Sequence, residues 1–486
     1  MKAAGKMSPM PVTAPRARIR PAPAARRTVA VLDGIVAVLT LVTLSTLLTG
    51  GFRAELLGMR VSTTSWWRLA GLAVLVLAAR HAWRPSPSIV ARAWDGLVAW
   101  RRDPVTRATW PIVITTRAGV LLLGLLAVYA IGYPGGRAPI RVAEGEVANL
   151  PARFDAGWYL GIATTGYDYT PNRLNRQQNV VFFPAFPALM GWVSLLLARQ
   201  VVWSGAIVSI LAFAWAMRYL FRLARELMDD ERAVTAVALM AVYPFALFFS
   251  APYTEGLFLL ALVGAWWHMR RDERWAGFGW GFLAGLTRPN GCLLSVPLAL
   301  MVVAPLWKHG RLQSPPGGWL SLSDRFLVAA APGLGMLVYS AYVFDLTGDP
   351  FTWIRLQAAW GRENIGAASF LAGEWRSLGE QGLYGYATAD VPNFLNASAG
   401  LLVGASLVPV LRRFGLPAAA LLVVNLLPSI ASGGWLSVGR ATTVLFPVFL
   451  WLADAIPARH RGMWIGAFAA LQAFAATLFF TWRQMF

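Results

Sequence analysis

Apolar runs of about 20 residues, set between short clusters of arginine, leave this chain few ways to fold. A run of that length spans the hydrocarbon core of a bilayer as a helix. Hydrophobic residues fill 57% of the 486 positions and charged residues only 14%, too little polar surface for a soluble chain of this size. The expected fold class is therefore an all-α polytopic membrane protein. A formal charge of +20 invites a nucleic-acid reading. The basic residues form no single stripe, however. They sit between apolar runs as the positive-inside rule expects, so nucleic acid is not an expected partner.

Placing the arginine clusters in the cytoplasm threads the chain. Residues 1–28 read as a disordered basic cytoplasmic tail, and 29–110 as two N-terminal transmembrane helices with a basic loop. Residues 111–345 read as a core containing a first outer loop at 134–181, 346–393 as a second outer segment, and 394–486 as C-terminal helices. Individual spans are expected near 29–50, 65–83, 112–132, 233–250, 254–269, 326–345, 394–411, 416–431, 440–456 and 463–482. Parity makes 182–197 a short or re-entrant element and puts the polar TRPNG stretch, 287–291, at the tip of an excursion from the cytoplasmic side. About 11 to 13 membrane or re-entrant segments result. Cys292 is the lone cysteine, so no internal disulfide can form, and His81, His268, His309 and His460 show no ligand-like spacing, so no metal site is expected.

With this threading, the unusual polar residues gather at the outer face. Asp155 lies in RFDAGWY, Glu255 follows FFSAPYT at the start of an apolar run, and Arg288 and Asn290 lie in TRPNG. Asp345, Asp349, Gln357, Trp360 and Arg362 lie in DLTGDPFTWIRLQAAWGR, and Arg440 opens GRATTVLFP. Ionisable residues in a membrane domain are costly and mark functional sites by default. Carboxylates with two or three arginines at one depth suit an anionic, lipid-linked substrate, the arginines holding phosphate and a carboxylate acting as base. Blander roles stand beside these: Glu255 as a helix cap, Arg288 and Arg440 as snorkelling anchors, Trp158 and Tyr159 as interfacial aromatics rather than a sugar platform.

RFDAGWYLGIATTGY resembles the signature W-D-A-x-x-[FY]-x-x-I-A-x-x-G-Y of the PIG-V mannosyltransferase family, whose fold is that of the GT-C membrane glycosyltransferases. NVVFFPAFP, YPFALFFSAPYTEGLF and TRPNG are similar to further blocks of that family in the expected order, and the segments around 348–362 and 439–447 resemble its bacterial members. Phe154 stands where the family has Trp, and Gly256 where it commonly has Ser. The resemblance implies an inverting transfer of mannose from a polyprenyl-phosphate mannose donor, on the extracytoplasmic face, to a glycolipid, glycan or protein hydroxyl. It implies Asp155 as catalytic base. Arg153, Trp158, Tyr159, Tyr253, Glu255, Arg288, Asn290, Gln357, Trp360 and Arg440 become the substrate-binding candidates. No cofactor is expected, the lipid-linked donor being a substrate. The arginine- and alanine-rich, lysine-poor composition points to a bacterial cytoplasmic membrane. The alternatives are a transporter or flippase of a lipid-linked sugar, which the lack of an internal repeat disfavours, and a GT-C enzyme using another sugar or a protein acceptor.

Overall fold

The structure is a computed structural model that describes residues 23–49, 53–56, 59–62, 65–83, 89–171, 173–197, 199–308, 311–312, 318–362 and 364–485. Most of the expected basic tail, residues 1–22, lies outside the described residues; 23–28 already belong to the helix Pro23–Thr49. The chain divides into two compact units, 1–97 and 98–486.

In the first unit, helices Pro23–Thr49 and Trp66–Trp83 pack on one another, and an antiparallel hairpin of Arg53–Leu56 with Met59–Ser62 joins them. Asp33 would be costly in an apolar helix. It accepts from the buried Arg80 at 2.8 Å and pairs with Arg92 at 2.6 Å, which neutralises the charge inside the unit.

Among the described residues, the second unit holds five helices long and apolar enough to cross a membrane: Pro104–Ile131, Val201–Leu227, Leu322–Thr347, Val391–Phe414 and Ala458–Phe480. Shorter apolar helices lie among them, including Ala185–Leu196, where the short element was expected, and Leu416–Ser432. Two expected spans are corrected by breaks. The span expected at 233–250 is the helix Asp230–Ala241, then a 78° bend into the 3-10 turn Pro244–Ser250. Pro244 excludes Tyr243 from helical geometry, so the bend falls there. The span expected at 440–456 is split into Val438–Thr442 and Phe446–Ala455. Residues 346–393, expected as an outer segment, are largely helical, with Thr352–Arg355, a 3-10 turn Leu356–Trp360 and the helix Ala367–Ala389. The TRPNG excursion breaks as expected: the helix Arg274–Thr287 ends at an extended Arg288 ahead of Pro289, and Ser295–Val303 carries the chain back.

Broken helices expose carbonyls that lipid cannot satisfy. At the 78° bend the missing donors come from two other helices. Arg117, from the middle of Pro104–Ile131, donates to the carbonyls of Ala241 and Ala246, and to Ser250 Oγ at 3.3 Å. Gln472, from Ala458–Phe480, donates to the carbonyls of Ala241 at 3.2 Å and Tyr243 at 2.9 Å. Arg117→Leu keeps the volume apolar but orphans the Ala246 carbonyl. It is expected to cost about 1–3 kcal/mol, read as a lower apparent melting temperature in detergent; an unchanged melting temperature would show that the bend does not depend on this donor.

A second device is a seam of small residues. Gly277, Gly281 and Gly285 recur every fourth residue and face the helix Gly318–Thr347, so the two backbones meet. A Cβ at Gly285 would sit 1.9 Å from the Pro332 carbonyl oxygen. This contact fixes where the Arg274–Thr287 helix delivers Arg288.

In the second unit, arginines of different helices are linked at one end by shared acidic partners and neighbouring ion pairs. Asp454 accepts from Arg232 at 3.1 Å and Arg413 at 2.8 Å, Arg461 pairs with Glu231 at 2.7 Å, and Arg271 with Glu226 at 3.0 Å. The helix Glu255–Arg270 runs from Glu255 to this basic end, 16 residues or about 24 Å away.

Candidate active site

The site begins at a strained turn. Phe154 has φ 46, left-handed backbone that costs a non-glycine residue about 1–3 kcal/mol. Its ring is held 4.7 Å from that of Trp482 and 5.6 Å from that of Phe479. Tyr253 closes the turn from across the chain, its hydroxyl donating to the Arg153 carbonyl at 3.1 Å and accepting from the Asp155 N–H at 3.2 Å. Packed aromatics thus hold Asp155 at the start of the helix Ala156–Thr165. Phe154 meets an aromatic need there, which is why it can replace tryptophan.

Asp155 Oδ2 accepts from Arg440 Nη1 at 2.6 Å. The same guanidinium places Nε 3.1 Å from Glu255 Oε1, and Arg288 Nη1 donates to that oxygen at 3.5 Å. Glu255 is completely buried, both arginines are 13% exposed and Asp155 is 21% exposed, so the aspartate is the member of the network most open to an incoming molecule. Its Oδ1 takes no hydrogen bond from the described residues. Glu255 Oε2 is buried without a partner. Gly256, next in sequence, has room for nothing larger: a Cβ would stand 2.5 Å from the Ser209 carbonyl oxygen, so Ser cannot occupy this position here.

The remaining candidates divide. Trp158 and Trp360 come together, ring centroids 5.1 Å apart, with Phe182 5.1 Å from Trp360, as an aromatic wall along the helix that Asp155 begins. Tyr159 and Tyr253 are core residues, 5% and 1% exposed, which corrects the expectation that either forms a surface for substrate. Arg153 is corrected too. It points away from Asp155, fully buried, and spends its donors on the carbonyls of Phe480, Asn149 and Ala152 and on Tyr133 Oη. Asn290 donates to Asn425 at 3.0 Å and ties the TRPNG turn to the helix Leu416–Gly433. Gln357 is half-buried, and its amide reaches the Trp353 carbonyl at 3.5 Å. Asp349 pairs with Arg355, and Asp345 is exposed. Among the described residues no group of three or more His, Cys, Asp or Glu side chains is placed to hold a metal ion.

Residues 140–306 match the family model described as Mannosyltransferase (PIG-V). That segment is what the chain shares with the PIG-V family. It is 30% identical over 225 residues to the GPI alpha-1,6-mannosyltransferase 2 of Cricetulus griseus, a match covering 41% of this chain and 43% of that protein. The Mus musculus protein of the same name is 30% identical over 168 residues, covering 32% of each. The chain thus spans less than half the length of the curated relatives it matches. A solved structure of the Archaeoglobus fulgidus oligosaccharyltransferase aligns with a TM-score of 0.35 and 13% identity, over 74% of this chain and 53% of that one. Asp155, Glu255, Arg288 and Asn290 lie inside the matched PIG-V segment; Gln357, Trp360 and Arg440 reach the region from beyond it.

Proposed function

We propose that this membrane protein is an inverting glycosyltransferase of GT-C type. It moves mannose from a polyprenyl-phosphate mannose donor to an acceptor hydroxyl on the extracytoplasmic face. The observation that carries this is the Asp155–Arg440–Glu255–Arg288 network, in which four distant segments bring two carboxylates and two guanidinium groups together. Asp155 Oδ1 takes the acceptor proton as the acceptor oxygen attacks the anomeric carbon from the face opposite the phosphate. The bond from that carbon to the phosphate oxygen breaks, and its electron pair leaves with the polyprenyl phosphate. Positive charge develops on the sugar, which a neighbouring carboxylate stabilises. A phosphate leaves without a proton donor, so one base with cations suffices, and no metal or other cofactor is needed.

The basic ends of the helices support the orientation. The positive-inside rule puts them in the cytoplasm, and Glu255 starts the helix whose other end is basic. A bacterial cytoplasmic membrane, and a glycolipid, glycan or protein as acceptor, complete the proposal. Purified protein in liposomes, given headgroup-labelled polyprenyl-phosphate mannose and a membrane glycolipid extract, tests it. The expected result is label in a new glycoside together with free polyprenyl phosphate. Label that crosses the bilayer still on its original lipid would establish a flippase instead.

A further inference from the structure

The network leaves open which group receives the donor's phosphate. Arg440 is occupied by Asp155 and Glu255, and Arg288 by Glu255. Two positive and two negative charges balance, so this foursome alone has no net attraction for an anion.

A third arginine lies in the turn whose Trp360 packs on Trp158, in the helix begun by Asp155. Arg362 follows the 3-10 turn Leu356–Trp360. Gly361, at φ 73 in the left-handed region, reverses the chain there. Its N–H donates to the Ala358 carbonyl at 3.0 Å and the Arg362 N–H to the Gln357 carbonyl at 3.2 Å, the paired bonds of a Schellman cap. The backbone of Arg362 is therefore fixed, and the contact between Trp360 and Trp158 sets this turn against the helix begun by Asp155. Among the described residues the Arg362 side chain has no hydrogen bond and no ion pair. Burial first, then the positive charges of Arg440 and Arg288, push its guanidinium down to about 10, with Asp155 acting in the opposite sense. It therefore keeps its charge at neutral pH while crowded by two other cations. In the same turn, the Trp360 indole N–H is buried without a partner.

We propose that Arg362 is the phosphate-binding residue of the donor site, and that Arg288 and Arg440 serve mainly to hold the two carboxylates. The inference rests on the donor being a lipid-linked phosphosugar, as proposed above. Counting Arg362, the cluster has three positive and two negative groups. The excess of one matches a phosphodiester, which carries a single negative charge, rather than a diphosphate linkage, which carries two. A guanidinium with its fork unoccupied is also suited to bidentate contact with phosphate oxygens.

The test is direct binding of farnesyl-phosphoryl-mannose to the purified protein in detergent, by microscale thermophoresis, for the natural protein, Arg362→Gln and Arg362→Lys. Arg362→Gln is expected to weaken binding on the order of ten- to a hundredfold, as the loss of a hydrogen bond to a charged group does. Arg362→Lys, which keeps the charge but not the fork, is expected to fall between. Melting temperatures of both variants within the scatter of the natural protein would separate a binding role from a structural one. If the natural protein binds and Arg362→Gln binds equally well, the assignment of Arg362 is overturned while the glycosyltransferase reading stands. If the natural protein binds no prenyl phosphosugar, the donor reading itself fails. Tighter binding of the diphosphate-linked analogue would overturn the single-charge count.

Discussion

Asp155→Asn is expected to lower mannosyl transfer by roughly 10²–10⁴-fold while the protein inserts and folds normally. The amide has the shape of the carboxylate but loses its charge and its capacity to take a proton. The surroundings survive the change: Tyr253 bonds the backbone of residue 155, not its side chain, and Arg440 keeps Glu255 at 3.1 Å. Turnover of labelled polyprenyl-phosphate mannose by the purified variant checks the first half of the expectation. An apparent melting temperature in the same detergent checks the second. Near-natural turnover in a folded variant would take the base away from this position.

Arg440→Gln is expected to damage stability as well as activity. Glu255 is completely buried, and among the described residues Arg288, at 3.5 Å, is the cation left to it without Arg440. Removing one partner of a buried ion pair typically costs about 3–5 kcal/mol because the other charge stays behind uncompensated. Packing is lost too, since the guanidinium lies 5.4 Å from the ring of Tyr253 and 5.8 Å from that of Phe248. The measurement is the fall in apparent melting temperature, repeated in the double variant Arg440→Gln/Glu255→Gln. Removing both charges together is expected to restore a good part of the melting temperature but not the turnover. A double variant as unstable as the sum of the two singles would show that Arg440 does not compensate Glu255.

The polar residues of the site were legible in the sequence because each interrupts or borders an apolar run, where an ionisable group needs a reason to be. Asp155, Glu255, Arg288 and Arg440 stood out on that ground, and the structure joins them. Their pairing was not legible. Asp155 and Arg440 are 285 positions apart, and nothing local in either segment names its partner. Local adjacency also misled: Arg153 stands two residues before Asp155 yet points into the core, because the turn at Phe154 sends the two side chains opposite ways.

The bends were harder to read. Pro244 in an apolar run is compatible with a kinked span or a broken one, and only the donors reaching in from other helices decide it. Arg117 was the available signal, an arginine in the middle of a span that has to be satisfied inside the protein. The glycines at 277, 281 and 285 form a close-packed seam whose partner helix nothing in their own segment names. Gly256 gained its explanation only from the neighbouring Ser209 carbonyl.

At the centre of the account stands the meeting of two segments remote in the chain. Cysteines at 155 and 440, in a background with Cys292→Ser, test it through a short bis-maleimide cross-linker applied to the membrane-embedded protein and mass spectrometry of the linked peptides. An intramolecular 155–440 link should form in high yield; its absence, in a sample where a 155–253 control pair links efficiently, would contradict the shared site.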